Sequence, residues 1–199
     1  IRSDDLYLYC LDATNGMVEW KFYLGTLLYN SPVIADIDAD GQLEVIMPAG
    51  ILYCIDGALG LEEWSVAGNA RGSACIADVD GDDELEILVV DSNLGAVLCL
   101  NSTGGQEWST SDFDLTAISS PVAADVDNDG QLEVLCGSLD YNFYCFNGTD
   151  GIKEWNYTTS GHFSYTPVVG NLDEDPIKEI VFGVDDGLLI CLNGTMGGF

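Results

Sequence analysis

The chain has 199 residues and a formal net charge of −29, from 34 acidic and 5 basic side chains. So negative a surface argues against binding to nucleic acid or to anionic membranes. The chain is also 47% hydrophobic, which is too apolar for a disordered acidic tail. No apolar stretch reaches the roughly 18 residues that a membrane helix needs. We therefore expect a folded acidic domain that does not span a membrane.

Short apolar runs follow one another along the chain, separated by Gly, Asp and Asn. In the first complete unit they predict strands at 31–37, 43–49, 51–55 and 62–66. The runs are rich in Val, Ile, Leu and aromatic residues, which is typical of strands joined by tight turns. Long stripes with a period of 3.6 residues and helix-capping boxes are missing. The sequence therefore predicts an all-β fold.

A second pattern repeats at intervals of 44, 44 and 47 residues, counted between tryptophans. The copies read LYCLDATNGMVEW at 8–20, LYCIDGALGLEEW at 52–64, VLCLNSTGGQEW at 97–108 and FYCFNGTDGIKEW at 143–155, with a truncated LICLNGTMGGF at 189–199. Such a period, with four strands in each unit, suits the blades of a β-propeller. We predict one repeat domain over residues 1–199, with about 4.5 units that form part of a larger ring or assembly. The units are 1–30 (partial), 31–72, 73–118, 119–164 and 165–199 (partial).

An acidic loop of nine residues recurs before the second strand of the three complete units and of the last, partial unit. The four copies are DIDADGQLE at 36–44, DVDGDDELE at 78–86, DVDNDGQLE at 125–133 and NLDEDPIKE at 171–179. Carboxylates at loop positions 1, 3, 5 and 9 repel one another unless a cation lies between them. Ca²⁺ takes six to eight oxygen ligands from such flexible loops. The pattern indicates up to four calcium sites, and the alternative is a set of solvated acidic turns without metal.

Two family resemblances meet on these residues. SPVIADIDADGQLEVIM and SPVAADVDNDGQLEVLCGS resemble the FG-GAP repeat of integrin-α-type propellers, whereas LYCLDATNGMVEW and FYCFNGTDGIKEW resemble the blade motif of quinoprotein-like (PQQ-like) propellers. Both families imply a β-propeller, and the second implies that Trp64 and Trp108 dock against neighbouring blades. By the first resemblance the calcium ligands would be Asp36, Asp38, Asp40, the Gln42 carbonyl and Glu44; Asp78, Asp80, Asp82, the Glu84 carbonyl and Glu86; Asp125, Asp127, Asp129, the Gln131 carbonyl and Glu133; and Asn171, Asp173, Asp175, the Ile177 carbonyl and Glu179.

Two of the loops depart from the family pattern. The fourth has Asn171 at position 1 and Pro176 where glycine helps the turn, so we expect weaker calcium binding there. The second has Asp83 at that glycine position, which leaves its backbone conformation open.

Five cysteines occupy one equivalent position in the third strand of successive units, and we predict them to be small buried hydrophobes. They are Cys10, Cys54, Cys99, Cys145 and Cys191. Cys136 and Cys145 could instead face each other across a hairpin, so a disulfide between them stays open as an alternative.

Four sequons mark possible N-glycosylation sites: Asn101, Asn147, Asn156 and Asn193. Three of them occupy a turn position where other units have Asp12 and Asp56. Asn and Asp both favour such turns without a sugar, so both interpretations remain open. Together with the calcium loops, the sequons favour a secreted or cell-surface protein.

Signals of catalysis are weak. His162 is the only histidine, and no nucleophile elbow, phosphate-binding loop or zinc-binding helix is present. We predict a non-enzymatic, calcium-stabilised module that binds a protein or a glycan. The alternative is a structural subunit of a larger extracellular assembly or fibre, in which copies of the chain bind one another. A fragment of a quinoprotein-like or polysaccharide-degrading enzyme is the third hypothesis.

Overall fold

The computed structural model describes residues 3–26, 30–110, 119–163 and 165–195. This part of the chain is all β, as predicted, and contains no helix that could span a bilayer. The end of the truncated repeat, 196–199, lies outside the described residues. The strands are β1 (Tyr7–Leu11), β2 (Val18–Tyr23), β3 (Val33–Ala35), β4 (Glu44–Asp56), β5 (Glu62–Ala77), β6 (Glu86–Asp91), β7 (Ala96–Leu100), β8 (Gln106–Ser109), β9 (Val122–Ala124), β10 (Glu133–Gly137), β11 (Asn142–Asn147), β12 (Lys153–Thr158), β13 (Val168–Gly170), β14 (Glu179–Gly183) and β15 (Leu189–Asn193).

The third complete unit has the architecture that the repeat predicts. Its strands β9 to β12 form one antiparallel sheet in sequence order, in which each strand pairs with the next. Glu133 lies opposite Ala124 on one side and Asn147 on the other, and Cys145 lies opposite Trp155. The last unit has three strands in the same order, β13 to β15, and the N-terminal hairpin has two, β1 and β2.

The first two complete units share one sheet of order β3-β4-β5-β6-β7-β8. Here the structure differs from the predicted strand ends. The predicted strands 43–49 and 51–55 are both parts of β4, with Gly50 between them at a φ of 81°, and β5 continues past 66 to Ala77. The last strand of one unit thus runs directly into the first strand of the next, with a shift of register between Arg71 and Cys75 where the two units meet.

The core lies between the strands of successive units. Every residue of β6 is buried, since both of its faces are covered. Ile87 and Val89 pack with residues of the preceding unit, whereas Leu88 and Val90 pack with those of the following unit. The period-two alternation of a strand therefore assigns alternate side chains to two different interfaces.

Tryptophans link neighbouring units. The indole Nε1 of Trp108 donates to the Gly148 carbonyl at 2.8 Å, and that of Trp64 donates to the Ser102 carbonyl at 2.9 Å. Trp108 is 9% exposed and Trp64 is half-buried against the cluster between the first two units. The predicted docking of both side chains against the adjacent unit is confirmed.

The cysteine predictions are only partly correct. Cys136 lies opposite Tyr144 and Cys145 opposite Leu135, so the two thiols point to different faces and pack in different clusters. Both are free, and the alternative of a disulfide between them is wrong. Cys191 is exposed rather than buried, because no described strand packs over its side of β15.

Candidate metal centres

The four acidic loops occupy equivalent places, each between the first and second strand of a unit. They connect β3 to β4, β5 to β6, β9 to β10 and β13 to β14. The glutamate at position 9 is in each case the first residue of the second strand. The strand pairing of the unit therefore holds both ends of every loop.

Within a loop, backbone N–H groups bond the aspartate side chains. Asp36 accepts hydrogen bonds from the Asp40 and Gly41 nitrogens at 3.1 and 3.0 Å, and Asp40 accepts one from the Gln42 nitrogen at 2.7 Å. These bonds between side chain and backbone fix the course of the winding loop. The same set of bonds recurs around Asp78 in the second loop.

The winding requires a left-handed backbone at positions 4 and 6. Gly41 and Gly130 supply it at position 6, with φ values of 88° and 93°. Asp83 adopts the same conformation at 71°, so the missing glycine does not change the course of the second loop. Pro176 cannot adopt it, because its ring holds φ near −65°. The fourth loop is therefore the one whose backbone departs from the pattern.

The closing glutamates are buried carboxylates with one oxygen engaged. Glu44, Glu86 and Glu133 are each 2% exposed, and Glu179 is 7% exposed. Each accepts a hydrogen bond from the position-2 nitrogen, at 2.9, 2.8, 2.8 and 2.6 Å respectively. The second oxygen of Glu179, Oε1, is buried without a hydrogen-bond partner among the described residues. An unpaired buried carboxylate oxygen is costly, and a bound cation would satisfy it.

Carboxylates converge in every loop. In each loop, three acidic side chains form a group in which one oxygen atom from each lies within 4.8 Å of the others. Glu44, Asp82 and Asp129 lie outside these groups, and Asn171 turns its carboxamide oxygen to the Glu174 nitrogen at 2.7 Å. The four groups are Asp36, Asp38 and Asp40; Asp78, Asp80 and Glu86; Asp125, Asp127 and Glu133; and Asp173, Asp175 and Glu179.

The electrostatics of these groups favour a cation. Burial raises the pKa of Glu86 and of Glu133 to about 7, and the neighbouring loop aspartates add to the effect. Burial raises the pKa of Glu44 in the same way. A positive ion among these oxygens would oppose the shift by stabilising the ionised form. The oxygen-only donor set suits a hard cation such as Ca²⁺.

A contact between cysteine and glutamate, which the sequence analysis missed, repeats beside the loops. The Cys54 thiol lies 3.4 Å from a Glu63 oxygen, and the Cys99 thiol lies 3.7 Å from a Glu107 oxygen. Burial, and then the hydrogen bond to these glutamates and their charge, raises the pKa of both thiols, so they stay protonated. The sequence contained a signal for this contact, because a Glu precedes each of the four tryptophans. This Glu lies on the fourth strand of its unit, two strands away from the acidic loop that it approaches.

Three of the four sequon asparagines build turns. Asn101 and Asn193 accept hydrogen bonds from the backbone nitrogens of Thr103 and Thr195, both at 3.1 Å. Asn147 does the same for Thr149 at 3.0 Å. Asn156 is exposed on β12. The turn-building role of Asn is thus satisfied at three sites, and glycosylation remains a prediction at all four.

Comparison with known proteins places the chain among propellers. Residues 78–136, which include the second and third acidic loops, match the family described as FG-GAP-like repeat. BamB from Moraxella catarrhalis is similar in structure, with a TM-score of 0.65 and 19% identity over 92% of this chain and 51% of BamB. BBS1N, solved in complex with ARL6DN, has a TM-score of 0.64 and 12% identity over 94% of this chain and 57% of its own.

A third similar structure is the V. cholerae biofilm matrix protein Bap1, with a TM-score of 0.53 and 18% identity over 84% of this chain and 38% of Bap1. No curated protein sequence matches the chain significantly. The chain spans about half the length of the first similar structures. Residues 78–136 are therefore FG-GAP-like repeat sequence, and the chain has the fold of a β-propeller.

Proposed function

We propose that the chain is a non-enzymatic, calcium-stabilised module that acts outside the cell or at its surface and binds a protein or a glycan. The observation that carries the proposal is the buried glutamate that closes every acidic loop, which converges with two aspartates in three of the four loops. The Glu179 oxygen without a partner is the clearest instance. Bound Ca²⁺ would supply positive charge and tie the loop to the second strand of its unit.

The loops differ in how well they suit the ion. The first three have aspartates at positions 1, 3 and 5, together with the position-7 carbonyl and a closing glutamate. The fourth offers Asn171 in place of one carboxylate, and Pro176 alters the loop backbone. The proposed ligands are those named from the sequence, with the fourth site binding more weakly than the others.

An extracellular setting suits calcium sites of this type, because extracellular modules bind Ca²⁺ in the range of about 10⁻⁴ to 10⁻³ M. One similar structure is a biofilm matrix protein. The sequons agree with export, but they also serve as turn residues.

A binding role suits the chemistry of the remaining groups. His162 is 2.6 Å from the Leu139 carbonyl through Nδ1, and its ring stacks on Tyr141 with 4.4 Å between the ring centres. The histidine thus supports a turn, and the buried thiols are held protonated. One similar protein was solved in complex with a partner protein. These observations support the proposed role in binding a protein or a glycan.

Titration calorimetry with Ca²⁺ tests the metal sites. The unmodified chain should bind up to four ions, the last with lower affinity. Asp38→Ala and Asp127→Ala should each remove one ion from the stoichiometry, because each deletes a central ligand of one loop. Asp4→Ala is the matched control, since it removes an exposed carboxylate outside the loops. Unchanged stoichiometry in both loop variants would refute the assignment.

A structural role is the second candidate, and the last unit favours it. Leu172, Val168 and Leu189 are 66%, 69% and 77% exposed. The residue equivalent to Leu172 in the other loops, such as Val79, is at most 3% exposed because the next unit covers it. An apolar face of this kind packs against a further unit, which could belong to the same protein or to a second copy. Sedimentation velocity over a wide range of concentrations separates the candidates, because only a structural subunit should polymerise at every concentration.

A further inference from the structure

The first and third acidic loops are nearly identical in sequence. They read DIDADGQLE at 36–44 and DVDNDGQLE at 125–133, and they differ only at positions 2 and 4. Both have a left-handed glycine at position 6, and both close on a glutamate that is 2% exposed. Three carboxylates converge in each. A difference between the two loops in cation binding would therefore come mainly from the groups that lie beside them.

The residue at position 8 of a loop lies beside the loop of the preceding unit. Leu85 of the second loop lines the groove between the first two loops together with Asp36 and Ile37. Leu132 of the third loop packs on the apolar cluster that contains Val79 of the second. The first and second loops thus each have an uncharged leucine from the next unit at their side.

The fourth loop has Lys178 at position 8, and this lysine is the only basic residue in the four loops. Its backbone nitrogen donates to the Val126 carbonyl at 3.0 Å, which fixes it beside the third loop. Its ammonium Nζ donates to the Asp125 carbonyl at 2.7 Å. Asp125 is position 1 of the third loop, and its carboxylate is one of the three that converge there. The third loop therefore has a positive charge in the place where the first loop has Leu85.

This ammonium should act in opposite directions on the empty and the filled loop. Without an ion, it offsets part of the repulsion among the three carboxylates and so stabilises the fold. With Ca²⁺ bound, two positive charges lie near each other and repel, which lowers the affinity for the ion. The lysine and the calcium ion thus compete to neutralise the same carboxylates.

We propose that Lys178 is a built-in counter-ion of the third acidic loop, which lowers the calcium affinity of that loop and stabilises it when calcium is absent. The inference rests on the proposed calcium sites and adds an order among them. The first loop fills before the third, although the two have the same proposed ligands. Because the lysine belongs to the fourth loop, it also makes the third site depend on the packing of the last unit.

Calcium titration of the ¹⁵N-labelled protein measures the two loops separately through the amide signals of Gly41 and Gly130. The third loop should be half-saturated at a calcium concentration about three- to tenfold higher than the first, because charges this close interact in spite of screening. Lys178→Gln keeps a donor for the Asp125 carbonyl but loses the charge, so it should remove most of this difference. Lys178→Arg keeps the charge and should preserve the difference.

Lys21→Gln is the matched control, since it removes the same charge from β2, outside the loops. It should leave the half-saturation of both loops unchanged. In excess chelator, Lys178→Gln should lower the melting temperature more than Lys21→Gln does, because the empty third loop loses its counter-ion. A purely structural role of the lysine would lower stability without tightening calcium binding, and that result would contradict the proposal.

The converse variant, Leu85→Lys, places an ammonium beside the first loop and makes the test independent of how well Lys178→Gln folds. It should raise the calcium concentration that half-saturates the first loop by a similar factor. Calcium binding to the third loop that is equally tight in Lys178→Gln and in the unmodified protein would overturn this inference alone. Absence of any calcium-dependent shift in either loop would overturn the proposed function together with it.

Discussion

At the scale of single residues, the acidic loops hold backbone strain at position 4. Ala39, Asn128 and Glu174 have φ values of 59°, 64° and 69° there, and only the second loop places a glycine, Gly81, at this position. Asn tolerates the left-handed region through local hydrogen bonding, but Ala39 has no such side chain. The strain at Ala39 is therefore a cost of folding that the second loop avoids.

Exchanging these two residue types tests this strain. Gly81→Ala should lower the free energy of unfolding by about 1–2 kcal/mol, because alanine is strained in the left-handed region. Ala39→Gly should raise it by about 0.5–1 kcal/mol. The second change is smaller because glycine also gains entropy in the unfolded chain, which offsets part of the relieved strain. Nothing lies within 4 Å of the Gly81 Cβ position, so the backbone alone is tested. Urea unfolding with calcium in excess measures both. Changes of the same sign in the two variants would contradict this explanation.

At the scale of elements, two kinds of contact join neighbouring units. Near the starts of the first strands, the Ser31 nitrogen donates to the Ser73 hydroxyl at 3.0 Å, and the Ser73 nitrogen donates to the Ser120 hydroxyl at 2.8 Å. On the fourth strands, the tryptophans bond the next turn. Successive units are thus connected near both their first and their last strands, with the apolar clusters between them.

Removing one tryptophan should weaken one junction. Trp108→Ala should lower the free energy of unfolding by about 3–5 kcal/mol, because it leaves a cavity between the second and third units and an unpaired Gly148 carbonyl. Trp108→Phe keeps most of the ring and loses the hydrogen bond, so it should cost less. Trp64→Ala should cost less than Trp108→Ala, since Trp64 is more exposed. Thermal and urea unfolding measure the series, and a Trp108→Ala cost under about 1 kcal/mol would refute the core role.

At the scale of the whole molecule, charge is the dominant feature. A net charge of −29 repels itself in the compact state, and many of its carboxylates lie in four loops on equivalent ends of the units. Ions bound only by the folded state would reduce this repulsion and add stability by mass action. Calcium should therefore act on the stability of the domain as a whole.

Chelation should lower the melting temperature substantially. Each site filled at 100 times its dissociation constant contributes about 2.7 kcal/mol, and this contribution is lost when the ion is removed. Scanning calorimetry in millimolar calcium and in excess chelator measures the change, with NaCl matched for ionic strength as the control for screening. An identical melting curve in both conditions would exclude calcium as a stabilising ligand.

Local patterns in the sequence were enough to predict the repeat unit and the turns and loops that join its strands. Strand alternation, the turn residues and the tryptophan period each depend on a few neighbouring positions, and the four-stranded sheet of 122–158 follows them. The acidic loops were visible for the same reason, because their acidic residues recur at fixed positions within nine consecutive residues. Docking of Trp108 was predicted through the resemblance of its repeat to the blade motif of quinoprotein-like propellers.

Only the tertiary structure decided which faces of each unit are covered by a neighbouring unit. The burial of Cys145 and the exposure of Cys191 follow from whether a neighbouring sheet is present, although both residues occupy the same strand position. The joining of strands in β5, the Glu107 contact with Cys99 and the Lys178 contact with Asp125 likewise depend on pairing and packing between distant segments. A repeat determines its own unit locally, but the environment of each copy is determined by its neighbours in space.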